Sequence, residues 1–358
     1  MKYLAFACSL GVLFAQAACG SSASATNDAG NPLLDAGGTD AEPTPLDGGA
    51  DAADAPALPA NPAWQTVRDK MEAPFSLTVA DGRIYYDDAT HGTIESCDEA
   101  TCKDVKLFAT LTNTVRNGTL KTYGKDIVFA TGEGVYRADT TTGIVTPIVS
   151  RAMTPTALFV HDTVIYFADK MTKTVERVVP DLTPQPTSIV ASDVSDVRGI
   201  YADATDVFFT IYGSDDLKRG SLVFRASASL PSAGAKTTIS GNDVIVAAHD
   251  IRVFGAFVYW TGAGGVYRCP KDGCKGPNER AFSEKTAVFE GLGGSLSDTA
   301  LVSHSSVLRD VSLETPTKQN YQTFVGSMAQ STTTTPTYVY VVSSSTNGDG
   351  VIARRKYE

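Results

Sequence analysis

The 358-residue chain has only four histidines and two tryptophans. It contains no Gly-x-Ser-x-Gly elbow, no histidine pair at ligand spacing and no phosphate-binding glycine loop, so the usual hydrolase, zinc-protease and nucleotide-binding signatures are missing. Serine is plentiful, as around Ser303 and Ser343, but serine without a positioned base is loop composition rather than a nucleophile. Beyond the first residues, no apolar run approaches the roughly 20 residues that cross a bilayer. Between Gly20 and about Ala60 there is no aromatic residue, no Lys and no Arg.

That last stretch is built from Ala, Asp, Gly, Ser, Pro and Thr and carries seven carboxylates: Asp28, Asp35, Asp40, Glu42, Asp47, Asp51 and Asp54. Such a composition cannot bury enough apolar surface to fold, and its like charges repel, so it is expected to be a disordered tether. As a flexible coil, about 40 residues reach roughly 35 Å. Its Asp-Gly pairs lack the alternating oxygen ligands of a calcium loop. The formal net charge of −10 belongs largely to this segment. Setting aside Lys2 and these seven carboxylates leaves 29 basic and 33 acidic residues, a balance of −4. That is an ordinary solvated surface with no basic field for nucleic acid.

The N-terminus is Met1-Lys2 followed by an apolar run from Leu4 to Ala18 broken only by Ser9, Gly11 and Gln16, which is the pattern of a secretory signal over residues 1–18. Ala17-Ala18-Cys19-Gly20 resembles the lipobox of bacterial lipoproteins, with Gln16 where Leu is usual. The resemblance implies acylation of Cys19, anchoring to a bilayer and an outer-membrane lipoprotein facing the periplasm or cell surface. Cysteine arithmetic agrees: Cys8 leaves with the signal, four others lie in two local pairs, and Cys19 is the odd one. Ordinary cleavage after Ala15-Gln16-Ala17, giving a soluble secreted protein, is the alternative. The expected organisation is a signal over 1–18, a lipidated tether over 19–62 and one folded domain over 63–358.

From Ile84 onward one short phrase recurs: Ile84-Tyr85-Tyr86-Asp87, Ile127-Val128-Phe129-Ala130, Ile165-Tyr166-Phe167-Ala168, Val207-Phe208-Phe209-Thr210, Val258-Tyr259-Trp260-Thr261, a degraded Val307-Leu308-Arg309-Asp310, and Val339-Tyr340-Val341-Val342. Each copy sits between a strand-like segment and a Gly-led third strand. Repetition at about 40 residues with only strand patterning inside each unit points to an all-β fold, a β-propeller of four-stranded antiparallel blades. Seven blades fit best, and six or eight remain compatible. Tyr86, Phe129, Phe167, Phe209, Trp260 and Val341 share one register and are expected to form the inter-blade core. Trp64-Gln65-Thr66-Val67-Arg68 precedes the first unit, and the last unit stops at its third strand, so this N-terminal segment is expected to close the ring as the missing fourth strand.

Val258-Tyr259-Trp260-Thr261 with Gly265-Val266-Tyr267-Arg268-Cys269 resembles the YWTD repeats of low-density-lipoprotein-receptor-type propellers, and more closely those of myxobacterial lipoproteins. Gly262 stands where those repeats carry their final Asp, and the receptor family has six blades.

Cys97 and Cys102 follow the third strand of unit one, and Cys269 and Cys274 occupy the same place in unit five. Equivalent placement in an exported chain predicts two local disulfides. A four-cysteine zinc site is the alternative, with its halves on non-adjacent blades.

Propeller ligands gather where first strands begin and second-to-third-strand loops project, and the resemblance implies the same face here. The candidates are Arg116, Asn117, Arg198, His249, Asp250, Asp298 and Thr299 at strand starts, overhung by the long loop from Tyr212 through Asp215 and Asp216 to Arg219. Arg137, Arg177, Arg225 and Arg268 recur on third strands and are read as part of the repeat, lying over the blade surface. The function expected is non-catalytic binding of an envelope or extracellular protein or a glycan, with no cofactor, Ca²⁺ being the one ion left open. A propeller hydrolase or lyase with an axial metal, built from His249, Asp250, Asp298, Asn117 and Arg116, and a structural envelope role, are the rivals.

Overall fold

The computed structural model describes residues 64–111, 119–181, 186–213, 222–229, 234–241, 247–288, 291–296, 299–304, 307–312, 319–323, 328–344 and 349–356. All belong to one compact unit, Pro59–Glu358. Cys19 and the tether lie outside the described residues.

Every regular element among the described residues is a strand, and the strands form seven antiparallel sheets. The first blade runs Leu77–Ala80, Arg83–Asp88, Thr93–Asp98, Lys106–Thr110, in that order from one edge to the other. Its first hairpin turns on Asp81 (φ 47°) and Gly82 (φ 70°), the positive pair that a tight two-residue turn requires. Blades two, three and four repeat the meander from Lys121, Pro155 and Val197. Blade five is Ile251–Phe254, Phe257–Pro270 and Glu279–Val288. Its 14-residue middle element doubles back: Trp260 and Tyr267 stack with centroids 6.2 Å apart, whereas seven extended residues would span about 23 Å. This blade therefore also has four passes.

In blade six the second strand is Thr299–His304 and the third is Val307–Ser312. The degraded phrase at Val307 was thus placed one strand too early. The true second strand lacks an aromatic residue, so the repeat is invisible there. The shift also corrects the placing of Asp298 and Thr299: the strand beginning at Thr299 is the second of its sheet, at the far end from first-strand starts. Asp298 itself lies outside the described residues.

Blade seven closes the ring as expected. Its order is Met328–Thr334, Tyr338–Ser344, Asp349–Lys356 and, outermost, the N-terminal strand Gln65–Glu72, with Gln65 opposite Arg354 and Glu72 opposite Asp349. First strands lie against one another from blade one to blade five and from blade six round to blade one, and between blades five and six Phe257–Pro270 meets Gly291–Leu296.

The large residues at the shared register are all buried, and the five aromatic ones join neighbouring blades, whereas Val341 packs with Val339 and Ala353 of its own blade. Tyr86 shares a core with Tyr340, Phe129 with Tyr85, Phe167 with Val128, Phe209 with Tyr166, and Trp260 with Phe208. Each burial contributes on the order of 1.5–3 kcal/mol, which is what a lone sheet with two apolar faces cannot obtain. What lies across from these residues on the third strand differs. Phe129 stacks on Tyr136, Phe209 on Phe224 and Trp260 on Tyr267. In blades one and three, a glutamate takes that place: Glu95 opposite Tyr86 and Glu176 opposite Phe167. An arginine from the outer edge of the preceding blade meets each, Arg68 at 3.1 Å and Arg151 at 2.7 Å.

Four third-strand arginines also bridge blades, whereas Arg268 binds Glu279 of its own blade. Arg137 binds Asp181 at 2.8 Å, Arg177 binds the Ala228 carbonyl, Arg225 binds the Lys271 carbonyl at 3.1 Å, and Arg354 binds the Ala100 carbonyl at 2.8 Å. In each case the acceptor follows the third strand of the next blade. These side chains are inter-blade clamps, a more specific role than covering the blade surface. Cys97–Cys102 and Cys269–Cys274 are disulfides with Cα separations of 4.7 and 5.2 Å, and the zinc alternative falls with them. Their loops contain the Ala100 and Lys271 carbonyls.

Candidate functional site

Four of the nominated residues come together where the first strands of blades four and five begin. Val197–Ala202 starts with Arg198 exposed, and His249 and Asp250 lead into Ile251–Phe254. Tyr212 follows the second strand of blade four, Asp206–Ile211, at the same end of the sheet. The Arg198 guanidinium lies 5.0 Å from the Tyr212 ring centre, and the His249 ring meets Tyr212 edge-on at 5.1 Å. Asp196 holds Arg198 at 3.1 Å and is reached by Lys170 at 3.6 Å. Tyr212 is 39% exposed, one of the few large apolar side chains at the surface.

The backbone beneath is fixed by two threonines at the fourth position of the repeated phrase. The Thr210 hydroxyl accepts from the Gly199 amide at 2.9 Å and donates to the His249 carbonyl. The Thr261 hydroxyl accepts from the Asp250 amide at 3.1 Å, while the His249 amide donates to the Thr261 carbonyl at 3.0 Å. His249-Asp250 is thereby suspended between blades four and five. Gly199 permits this approach: a Cβ there would sit 2.6 Å from the His249 carbonyl oxygen. Asp87 plays the same part in blade one, where its Oδ1 accepts the amides of Phe75 and Ser76 at 2.9 and 2.6 Å.

Electrostatics mark two groups. Burial holds the His249 imidazole below its ordinary pKa, and the Arg198 guanidinium acts in the same direction, so the ring is neutral near pH 7. Asp250 faces Arg252 at 3.8 Å and caps its own strand through the Ile251 amide at 2.8 Å. A carboxylate so engaged, beside a guanidinium-flanked histidine, is suited to fixing a surface rather than to ligating a cation. Among the described residues no three His, Cys, Asp or Glu side chains are grouped as metal ligands.

Arg116, Asn117, Asp215, Asp216 and Asp298 lie outside the described residues. His161, the last residue of the first strand of blade three, and its neighbour Asp162 are at the opposite end of that blade and are not part of the cluster. Lys170, Asp196 and Arg252 were missed by sequence reasoning. Asp196 and Arg252 each stand two positions from a nominated residue, which was the available signal. A cavity of about 340 Å³ lined by residues including Asp126, Arg137, Ile144 and Pro180 opens toward the other face, where second strands begin.

No protein-family model and no curated protein matches the chain. Solved structures do. The computationally designed protein Ika8 matches with a TM-score of 0.53 at 12% identity, over 82% of this chain and 98% of that one. The extracellular domain of a putative one-component system from B. thetaiotaomicron matches at 0.61 and 8% identity; the match covers 83% of this chain and 40% of that one. The β-propeller domain of Myceliophteria thermophila Cps50 (Swd1) matches at 0.62 and 9% identity, over 81% and 99%. At such identities the likeness concerns architecture, and with the seven sheets it establishes that this chain folds as a β-propeller.

Proposed function

We propose that this protein is an exported, lipid-anchored β-propeller that binds a protein or glycan partner, without catalysis, on the face where the first strands begin. The observation that carries the reading is the joining of Arg198, Tyr212 and His249 from two blades into one exposed arrangement. Aromatic and arginine side chains of this kind supply most of the affinity at recognition surfaces. Gly199, Thr210 and Thr261 hold it rigidly, so little ordering entropy opposes binding. Export is supported by the signal-like N-terminus, by the two disulfides and by a structural neighbour that is itself an extracellular domain. Anchoring rests on Cys19 and its lipobox-like flank. Kinship with YWTD repeats is part of the same reading, supported by the common register of the phrase in six blades.

The test compares wild type with Tyr212→Ala and Arg198→Ala on envelope extracts and on a glycan array. Wild type is expected to retain a partner that both variants lose at unchanged thermal stability. Equal retention by all three, or retention by none at any ionic strength, sinks the reading. Incorporation of radiolabelled fatty acid, abolished by Cys19→Ala, tests the anchor separately.

A further inference from the structure

The pairing register of the innermost strands puts one residue from each of six blades at the same height on the propeller axis. Thr78 opposes Tyr85, Lys121 opposes Val128, Phe159 opposes Tyr166, Tyr201 opposes Phe208, Arg252 opposes Tyr259 and Thr333 opposes Tyr340. The second residue of every pair is the same position of the repeated phrase.

Two members of this ring are cations. Lys121 belongs to blade two and Arg252 to blade five, and blades so separated in a seven-membered ring face each other only across the axial channel. Lys121 nevertheless feels the charges of Arg252 and Asp250 across that channel. Protein surrounds Lys121, yet the side chain keeps accessible surface, as a residue lining an internal channel does. Its ammonium makes no hydrogen bond or ion pair with the described residues. Burial, with Arg252 acting in the same direction, lowers its pKa to about 8, so the ammonium is still mostly charged at neutral pH. Between the cations, on blades three and four, the half-buried rings of Phe159 and Tyr201 meet at 5.0 Å.

An ammonium with no side-chain partner among the described residues, set in a channel opposite a second cation, gains from an anion beside it, and a strand position that is threonine in two blades is under no architectural demand to be cationic. We propose that this level of the channel binds a small organic carboxylate, with its anion between Lys121 and Arg252 and its apolar face against Phe159 and Tyr201. The inference deepens the binding-module reading by naming the chemistry recognised, and it is independent of the Tyr212 surface. A free aromatic acid and the uronic acid unit of a glycan are the two sources of this chemistry.

Calorimetric titration of the full exported chain with benzoate and with glucuronate, against benzyl alcohol and glucose as neutral counterparts, separates them. At least one acid is expected to bind saturably at millimolar concentration while its neutral counterpart does not. Lys121→Met and Arg252→Met are each expected to weaken binding about tenfold or more, the loss of one charge-assisted hydrogen bond. Phe159→Ala is expected to weaken the acid but not inorganic sulfate. Because Arg252→Met disturbs Asp250, Lys121→Met is the deciding variant, and its circular dichroism and melting curve must match wild type. Failure of both acids to bind, or equal binding by Lys121→Met, overturns the inference. Tyr212→Ala should leave acid binding intact, so loss of partner capture and loss of acid binding report on separate claims.

Discussion

Arg354, on the third strand of blade seven, donates to the carbonyl of Ala100 at 2.8 Å, and Ala100 lies inside the loop closed by Cys97 and Cys102 of blade one. Residues 254 apart in sequence are thus tied across the ring seam. Arg225 and Lys271 repeat the arrangement at the second disulfide loop. A carbonyl accepts well only if its loop holds still, and the disulfide supplies that constraint. Arg354→Met is expected to cost about 1–2 kcal/mol in urea unfolding. Removing the disulfide with Cys97→Ala and Cys102→Ala is expected to cost about 2 kcal/mol by chain entropy. The triple variant should lose measurably less than the sum, since either change alone already weakens the clamp. Strict additivity would show that the loop and the clamp are independent.

Ring closure makes a second expectation about the N-terminal strand. Met71 pairs with Gly350 and is buried beside Tyr86 and Tyr340. A chain beginning at residue 64 keeps the closing strand, whereas one beginning at residue 73 exposes the edge of Asp349–Lys356 and part of the blade-one core. The longer form is expected to remain monomeric with wild-type cooperativity. The shorter form should aggregate or melt well below it, as size-exclusion chromatography and calorimetry would reveal.

Both features bear on what was readable in advance. The repeat, the seven units and the closing strand follow from β-branched and aromatic residues at one spacing, because inter-blade burial demands them. Blade six escaped because Thr299–His304 carries no aromatic, so its third strand was mistaken for its second. Arg198, Tyr212, His249 and Asp250 were locatable, since strand starts converge on one face. The Lys121–Arg252 level was not. It depends on the register of a three-residue strand, Lys121–Tyr123, too short to show any periodicity.

The buried Asp87 sets a pH dependence. Its carboxyl is 1% exposed, Oδ2 has no hydrogen-bond partner among the described residues, and burial raises its pKa to about 7 against the opposing pull of the Ser76 and Phe75 amides. A folded pKa above the unfolded value means that the folded state holds the proton longer. The contribution to stability is therefore complete below about pH 4, falls as pH rises toward 7, and is gone above it. Over that window the loss from this group approaches about 1.4 kcal/mol per pH unit. Asp87→Asn keeps an acceptor for both amides and cannot ionise. Its urea midpoint should vary less than that of wild type between pH 5 and 7.5. Parallel profiles would mean that Asp87 titrates near its ordinary value in the folded protein.

The two blade interfaces built on Arg–Glu pairs should respond to mutation differently from those built on stacked rings. Arg151 reaches Glu176 at 2.7 Å and Asp169 at 3.3 Å, and those carboxylates are 5% and 0% exposed. Thr172 and Thr174 hydroxyls complete the network at 3.1 and 2.8 Å. Replacing Arg151 by Met preserves most of the apolar stem over Phe167 but strands two buried carboxylates without a cation. The expected loss is about 3 kcal/mol at pH 8, reduced for the partial exposure of Arg151 from the top of the range for a fully buried network. At pH 5 the loss should shrink, because stranded carboxylates can then take up protons. In blade four the comparable change, Phe224→Leu, removes part of a stack on Phe209 and leaves no charge behind. Its loss should be smaller, about 1–2 kcal/mol, and the same at both pH values. If Arg151→Met proved pH-independent as well, the network would be contributing through packing alone.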